Sequence, residues 1–198
     1  MADTPKPIHP IWLRLTHWLN ALAVVILAMS GWLIYNASPF FGITFPVAIT
    51  LGGWLGGAIL WHFAAMWLLA ASGLAYLLCN ALSGRLRSRF LPLSFRAVLA
   101  DLRAASRGRL THDDPGRYNA VQRAAYLLVM VDAVLLILSG LVLWKSVQLP
   151  LLRELLGGYE AARRVHFIAM AVMVSFALIH VIMVALVPRS LLTMIRGR

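Results

Sequence analysis

Two histidines interrupt the apolar stretch Gly157 to Val187, GGYEAARRVHFIAMAVMVSFALIHVIMVALV. They are His166 and His180, fourteen residues apart. At about 100° per residue, fourteen residues make nearly four full helical turns, so both imidazoles lie on almost the same face. A rise of about 1.5 Å per residue separates them by about 21 Å along the axis. One then lies near each side of a hydrocarbon core roughly 30 Å thick. Imidazole ligates transition metals and carries protons. A single helix thus offers two such groups at two depths, and each needs a partner from elsewhere in the chain.

An internal repeat supplies one partner. Gly52-Gly53-Trp54 precedes HFAAM with His62, and Gly157-Gly158-Tyr159 precedes HFIAM with His166. Upstream of each, SGWLIY (Ser30–Tyr35) matches SGLVLW (Ser139–Trp144). The chain reads as two copies of a helix pair, related as a parallel repeat; chance likeness between Ala/Leu-rich helices is the competing explanation. His62 and His166 are then equivalent, about two turns into helices that start on one side. A pseudo-two-fold axis would bring them face to face. His17 and His180 are not duplicated: their counterparts are Tyr126 and Tyr76. Yet His17 lies early in a helix running outward and His180 late in one running inward. The four sort by depth into an outer pair, His62 with His166, and an inner pair, His17 with His180.

The elements that must position them follow from composition. The 198 residues are 61% hydrophobic with mean hydropathy +0.81, and the apolar residues come in long runs, which marks an integral membrane protein. The expected fold is all-α, a four-transmembrane-helix bundle in one domain covering 1–198. The spans are Trp12–Tyr35, Trp54–Leu82, Ala120–Trp144 and Glu160–Val187. The net charge of +11 comes mostly from Arg outside those runs, which fits topology and anionic membrane lipid rather than nucleic acid. Cys79 alone makes no disulfide and reads as a packing residue. The start, MADTPKPIHP, lacks a cleavable-signal pattern, so the first span reads as a retained signal-anchor. His9 reads as a solvated or interfacial side chain.

Between spans two and three, Ser83–Tyr118 carries eight arginines: Arg85, Arg87, Arg89, Arg96, Arg103, Arg107, Arg109 and Arg117. The tail adds Arg189, Arg196 and Arg198. The positive-inside rule places this loop and both termini in the cytoplasm. Arg163 and Arg164, at the outer start of span four, depart from the rule. Phe95, Val98, Leu99 and Leu102 recur at helical spacing opposite Arg96 and Arg103, which predicts an amphipathic helix on the inner surface. His112, in the same loop, reads as solvated.

A single membrane histidine serves equally as a helix–helix hydrogen bonder; four that pair at two depths point to ligation. Zinc takes four ligands, commonly with Cys or carboxylate. Non-haem iron takes a carboxylate. Two axial nitrogens suit a six-coordinate b-type haem, whose porphyrin fills the other four positions. A haem plate needs small residues where it passes a helix, and Ser30, Gly31, Ser72, Gly73, Ser139 and Gly140 offer them, although close helix packing explains each equally well. Two such haems, about 20 Å apart by the helix rise, would form an electron path across the membrane. Arg14 and Arg123 inside, and Arg163 and Arg164 outside, are candidate propionate partners, or simply anchors for helix ends.

Five segments carry a family resemblance: IHPIWLRLTHWLNA, SGWLIYNASP, GRYNAVQRAAY, GGYEAARRVHF and VPRSLLTM. Together they resemble the bacterial b-type cytochrome subunits of membrane-bound oxidoreductases. Those include the thiosulfate-reductase cytochrome b subunit, the formate-dehydrogenase gamma subunit, the nickel–iron hydrogenase b-type cytochrome and, in the same superfamily, bacterial cytochrome b-561. The likeness covers nearly the whole chain, most specifically in the histidine spacing and the R-x-x-H-W and Y-N-A-x-Q-R motifs. It implies a four-helix bundle with two haem b groups between the helices, ligated by His17, His62, His166 and His180. It also implies a quinone, menaquinone or ubiquinone, near the inner haem. On the Y-N-A-x-Q-R motif, Tyr118–Arg123, it puts Asn119 near that quinone, with Gln122 a second candidate. Asn119 equally suits a helix N-cap.

The function expected is a cytochrome b subunit that carries electrons between a periplasmic oxidoreductase, molybdopterin-dependent by resemblance, and the quinone pool. Phe40, Phe41 and Phe45 in the uncharged outer loop, with the 145–159 connection, would dock that partner. One alternative is a stand-alone cytochrome b-561-like oxidoreductase with a diffusible donor such as superoxide. Another is a haem-free proton-linked transporter or anchor. Asp132, mid-span three, is an intramembrane carboxyl that suits a proton path or a neutral hydrogen-bonded role.

Overall fold

The computed structural model describes residues 9–85, 94–106 and 119–197. Arg87, Arg89, Arg107, Arg109, His112, Arg117, Tyr118 and Arg198 lie outside them. The described residues form helices without strands: α1 (Ile11–Asn36), α2 (Leu55–Leu82), α3 (Phe95–Ser106), α4 (Ala120–Lys145), α5 (Pro150–Leu155), α6 (Tyr159–Leu186) and α7 (Pro188–Arg196). A 3₁₀ turn, Val47–Ile49, lies in the α1–α2 connection. α1, α2, α4 and α6 are long and apolar enough to cross a membrane. Their bounds match the four expected spans within one residue at each end.

The spans are apolar all round, which is how a helix in lipid differs from the amphipathic helix of a water-soluble protein. Leu22, Leu60, Leu74, Val131 and Leu178 all face outward, each more than half exposed. Many of the buried positions are small instead: Ala23, Ala28 and Ser30 on α1, Ala58, Ala65 and Ser72 on α2, Ser139 on α4, Ala162 and Ala169 on α6. Lipid tails are as apolar as Leu, so helices in a membrane associate through close backbone approach over small residues rather than through a large-residue core.

The chain divides into two compact units. One holds α1, α2 and α7; the other holds α3 to α6. In the first, Asn20 meets Ser72 and Ser30 meets His62. Ten residues forward on α1 are ten residues back on α2, so the two run antiparallel. In the second, Tyr126 meets Phe176 and Ser139 meets His166, so α4 and α6 run antiparallel as well.

The repeated Gly-Gly pairs have a backbone reason. Gly52, Gly53, Gly157 and Gly158 all hold positive φ, at 119°, 74°, 79° and 92°, a region L-residues with a Cβ rarely enter. Each pair turns the chain just before the histidine-bearing helix. Pro188 separates α6 from α7, because a proline has no N–H to continue the ladder. Arg14 Nη1 donates to the Ile195 carbonyl at 2.7 Å, a cation on the last turn of α7. His9 N–H points to Gly197 O at 3.5 Å. α7 is thereby tied to the first turn of α1, and His9 is half-buried at that junction.

Candidate histidine centres

At the Ser-Gly end of each pair a histidine is held in the same way. Ser30 is fully buried. Its Oγ lies 2.6 Å from the Ile26 carbonyl and 3.1 Å from His62 Nδ1. A carbonyl oxygen can only accept, so the hydroxyl proton goes to Ile26 and Oγ accepts from His62 Nδ1–H. In the other unit Ser139, also fully buried, lies 2.6 Å from the Leu135 carbonyl and 3.0 Å from His166 Nδ1. The Leu136 carbonyl sits 3.1 Å from the same nitrogen. That second carbonyl settles the matter independently: Nδ1 carries the proton. Both imidazoles are therefore held as the tautomer whose Nε2 has the lone pair. Metal-ligating histidines are oriented in this manner, the second ring nitrogen donating to an oxygen.

Glycine follows serine in both places for a steric reason. A Cβ at Gly31 would stand 3.5 Å from His62 Cε1; one at Gly140 would stand 3.2 Å from His166 Cε1. The rings lie against the bare backbone of the neighbouring helix. Around each histidine the buried alanines also coincide. Ala58 and Ala162 precede it by four residues, and Ala65 and Ala169 follow it by three, on the face turned to the partner helix. The first of each are fully buried and the second are 2% exposed. The sequence repeat is thus a repeat of geometry: same hydroxyl, same bare backbone, same ring nitrogen.

The second level in each unit differs. Ser30 stands level with His62, thirteen residues along α1 from His17, so the two histidines are about 20 Å apart along the axis. His166 and His180 are fourteen residues apart on α6, about 21 Å. Each unit alone thus places its two histidines at two depths. His17 is half-buried with Trp18 edge-on at 5.4 Å. His180 stacks on Phe176 at 5.9 Å with an interplanar angle of 11°, and Phe176 meets Tyr126 edge-on.

Other residues singled out above fall as follows. Arg14 caps α7. Arg163 pairs with Glu160 at 3.5 Å, a local carboxylate that offsets its departure from the charge rule, and Arg164 is exposed. Arg123 is half-buried in the first turn of α4. Asn119 and Gln122 form a capping box: Asn119 Oδ1 accepts from Gln122 N at 2.7 Å and Gln122 Oε1 from Asn119 N at 3.1 Å. α3 forms over the amphipathic stretch, with Phe95, Leu99 and Leu102 exposed. Its Asp101 accepts from Ala120 N at 2.7 Å. Asp132 is buried, and among the described residues its Oδ2 has no hydrogen-bond partner.

The uncharged loop is a built element. Asn36 clamps Phe45 through two 2.8 Å hydrogen bonds. Trp32 stacks on Phe45 at 5.0 Å, Tyr35 meets Phe40 and Phe45 edge-on, and the Tyr35 hydroxyl accepts from Phe41 N. Phe40 and Phe45 are thus partly spent on the loop's own packing. Phe41, Ile43, Val47, Ile49 and Trp54 are its exposed large apolar groups. In the other unit's 145–159 connection, α5 presents Leu151 and Leu155. Composition did not predict α5, α7 or the hydrogen-bonding role of Ser30 and Ser139. The repeated Ser-Gly was their one visible trace.

These features define a class: an all-helical, multi-pass membrane protein in which each helix pair holds a serine-orientated histidine against the bare backbone of a glycine. Residues 8–197 match the family model described as prokaryotic cytochrome b561, and the chain belongs to that family. It is similar to a protein of Azospira oryzae named as a protein-methionine-sulfoxide reductase subunit, YedZ1. The two are 66% identical over 197 residues, covering 100% of both chains. No solved structure matches the chain. The protein is accordingly a membrane b-type cytochrome of an electron-transfer system, with haem b as its cofactor. The site residues fit that group: two imidazoles whose Nδ1 protons are held by Ser30 and Ser139, which leaves each Nε2 lone pair for the iron.

Proposed function

We propose that this chain is a di-haem cytochrome b subunit linking a periplasmic oxidoreductase to the quinone pool. The observation that carries it is the duplicated Ser-Gly clamp on His62 and His166. Haem b supplies one-electron transfer at each level when bound. His62 and His166 would hold the outer haem, His17 and His180 the inner one. Ser30, Ser139 and the Leu136 carbonyl hold the Nδ1 protons and so keep Nε2 as the ligand atom. Arg123, Arg163 and Arg164 remain propionate partners by position. Arg14 is less suited, because its guanidinium already caps α7.

The membrane is the bacterial inner membrane, with both termini and the basic loop cytoplasmic. The partner is a periplasmic redox subunit, molybdopterin-dependent by family resemblance. The name of the Azospira relative supports protein methionine sulfoxide as that subunit's substrate. Its dock is the exposed part of the aromatic loop, Phe41, Ile43, Val47 and Trp54, with Leu151 and Leu155.

The test is reduction of the purified, haem-loaded protein by decylubiquinol and by menadiol, followed in the haem absorption bands. Reduction by either, and reoxidation by a co-purified periplasmic subunit given methionine sulfoxide, supports the path. Haem that dithionite reduces and neither quinol reduces would remove the quinone from it.

A further inference from the structure

The α1/α2 pair carries polar side chains where the α4/α6 pair carries none. Thr16, Asn20, Ser72 and Asn80 are buried or half-buried along it. By the repeat, their counterparts are Ala125, Val129, Phe176 and Val184. The second pair packs antiparallel without them, so the architecture does not need polar contacts at these levels. In a hydrocarbon slab an amide or hydroxyl is costly unless hydrogen-bonded, and is kept for a reason.

Two of the four are satisfied on their own helix. Thr16 Oγ1 donates to the Trp12 carbonyl at 2.9 Å, and Asn80 Nδ2 to the Tyr76 carbonyl at 2.8 Å. Asn20 and Ser72 instead reach across. Ser72 Oγ lies 2.7 Å from the Leu68 carbonyl and 2.5 Å from Asn20 Oδ1. Ser72 therefore engages one end of the Asn20 amide, and among the described residues the other end has no hydrogen-bond partner. Asn20 sits one turn along α1 from His17. It lies about 4.5 Å farther from the helix start than that histidine.

We propose that Asn20, braced by Ser72, hydrogen-bonds the head-group oxygen of the quinone beside the His17 centre. This deepens the quinone reading above and rests on it. A primary amide suits the task because it both donates and accepts. Its NH₂ group serves a quinone carbonyl, and its oxygen, after a turn end for end, serves a quinol hydroxyl. Asn119 and Gln122 can reach a quinone only through their NH₂ groups, since each commits its side-chain oxygen to the capping box. A haem propionate is another oxygen such an amide binds. A carboxylate belongs toward the surface, however, whereas Asn20 lies on the deep side of His17.

The experiment uses the full-length, haem-loaded protein in detergent, with decylubiquinol and menadiol as probes. Asn20→Val installs the residue that α4 carries at the equivalent position. The expected result is unchanged haem content and midpoint potentials, with the half-saturating quinol concentration raised about tenfold. Unchanged quinol dependence would overturn the assignment. So would a shifted midpoint potential with normal quinol dependence, which would mark a propionate ligand. A haem-replete wild-type protein that neither quinol reduces would overturn the quinone reading itself, and this site with it. Should Asn20→Val lose haem, Asn20→Ser decides. It keeps a hydroxyl near Ser72 but cannot reach past it, so it must show the same quinol defect with haem retained; wild-type turnover in that variant would make Asn20 helix glue.

Discussion

Around His62 and His166 the two helix pairs are near copies; around His17 and His180 they are not. At the first level each has a fully buried serine on an imidazole Nδ1, a glycine against the ring and alanines flanking the histidine. At the second level one pair offers His17 with an Asn20–Ser72 contact, and the other His180 stacked on Phe176. A duplicated helix pair can keep one centre symmetric and let the other diverge. Under the proposed function the symmetric level holds only a haem, and the divergent level also meets the quinone through its added polar groups.

The sharpest way to break the symmetry is at the glycines. A Cβ at Gly140 comes within 3.2 Å of the His166 ring, against 3.5 Å for Gly31 and His62. Gly140→Val should abolish the haem held by His166, and Gly140→Ala should lower its occupancy more than Gly31→Ala, as read by haem content per chain. Equal tolerance of valine at both positions would mean that the rings do not need the bare backbone.

The serines come next. Ser30→Ala removes the oxygen at 3.1 Å from His62 Nδ1 and should weaken haem retention roughly ten- to a hundred-fold, the usual cost of losing a ligand's orienting partner. Ser139→Ala should cost less, because the Leu136 carbonyl still takes the His166 proton. Competition for haem by apomyoglobin would rank the two, and the reverse order would contradict the tautomer argument.

Smaller effects lie at the helix ends. Asn36→Ala removes both hydrogen bonds to Phe45 and should destabilise the aromatic loop by about 2 kcal/mol, at roughly 1 kcal/mol per bond. Hydrogen exchange should rise in 37–50 while the histidine centres keep their spectra. Arg14→Ala should release α7 from α1 at a cost of roughly 0.5–1.5 kcal/mol, visible as faster proteolysis of the C-terminal segment.

How much of this was legible beforehand differs by level. The four spans were, because an apolar run of bilayer length has few other fates. The separation of the two histidines along each helix pair was legible too, from the helix rise and the repeat. The hydroxyl contacts of Ser30 and Ser139 were not, since small residues in a membrane helix read equally as close packing. Phe40 and Phe45 looked like part of a docking surface because hydropathy does not say which aromatic packs inward. The structure turns both, at least in part, onto Tyr35 and Trp32. α5 and α7 are too short to announce themselves by periodicity. The Asn20–Ser72 contact joins residues far apart in sequence, and nothing local marks it.

The most direct measurement is haem stoichiometry, by pyridine haemochrome, in single and double histidine variants of the purified protein. The wild type should carry two haem b per chain. His62→Ala with His166→Ala should carry one, the same one that either single variant keeps. His17→Ala with His180→Ala should carry the other. His62→Ala with His17→Ala should carry none. Loss of both haems in the His62/His166 double variant, or a single haem in the wild type, would contradict the two-centre account.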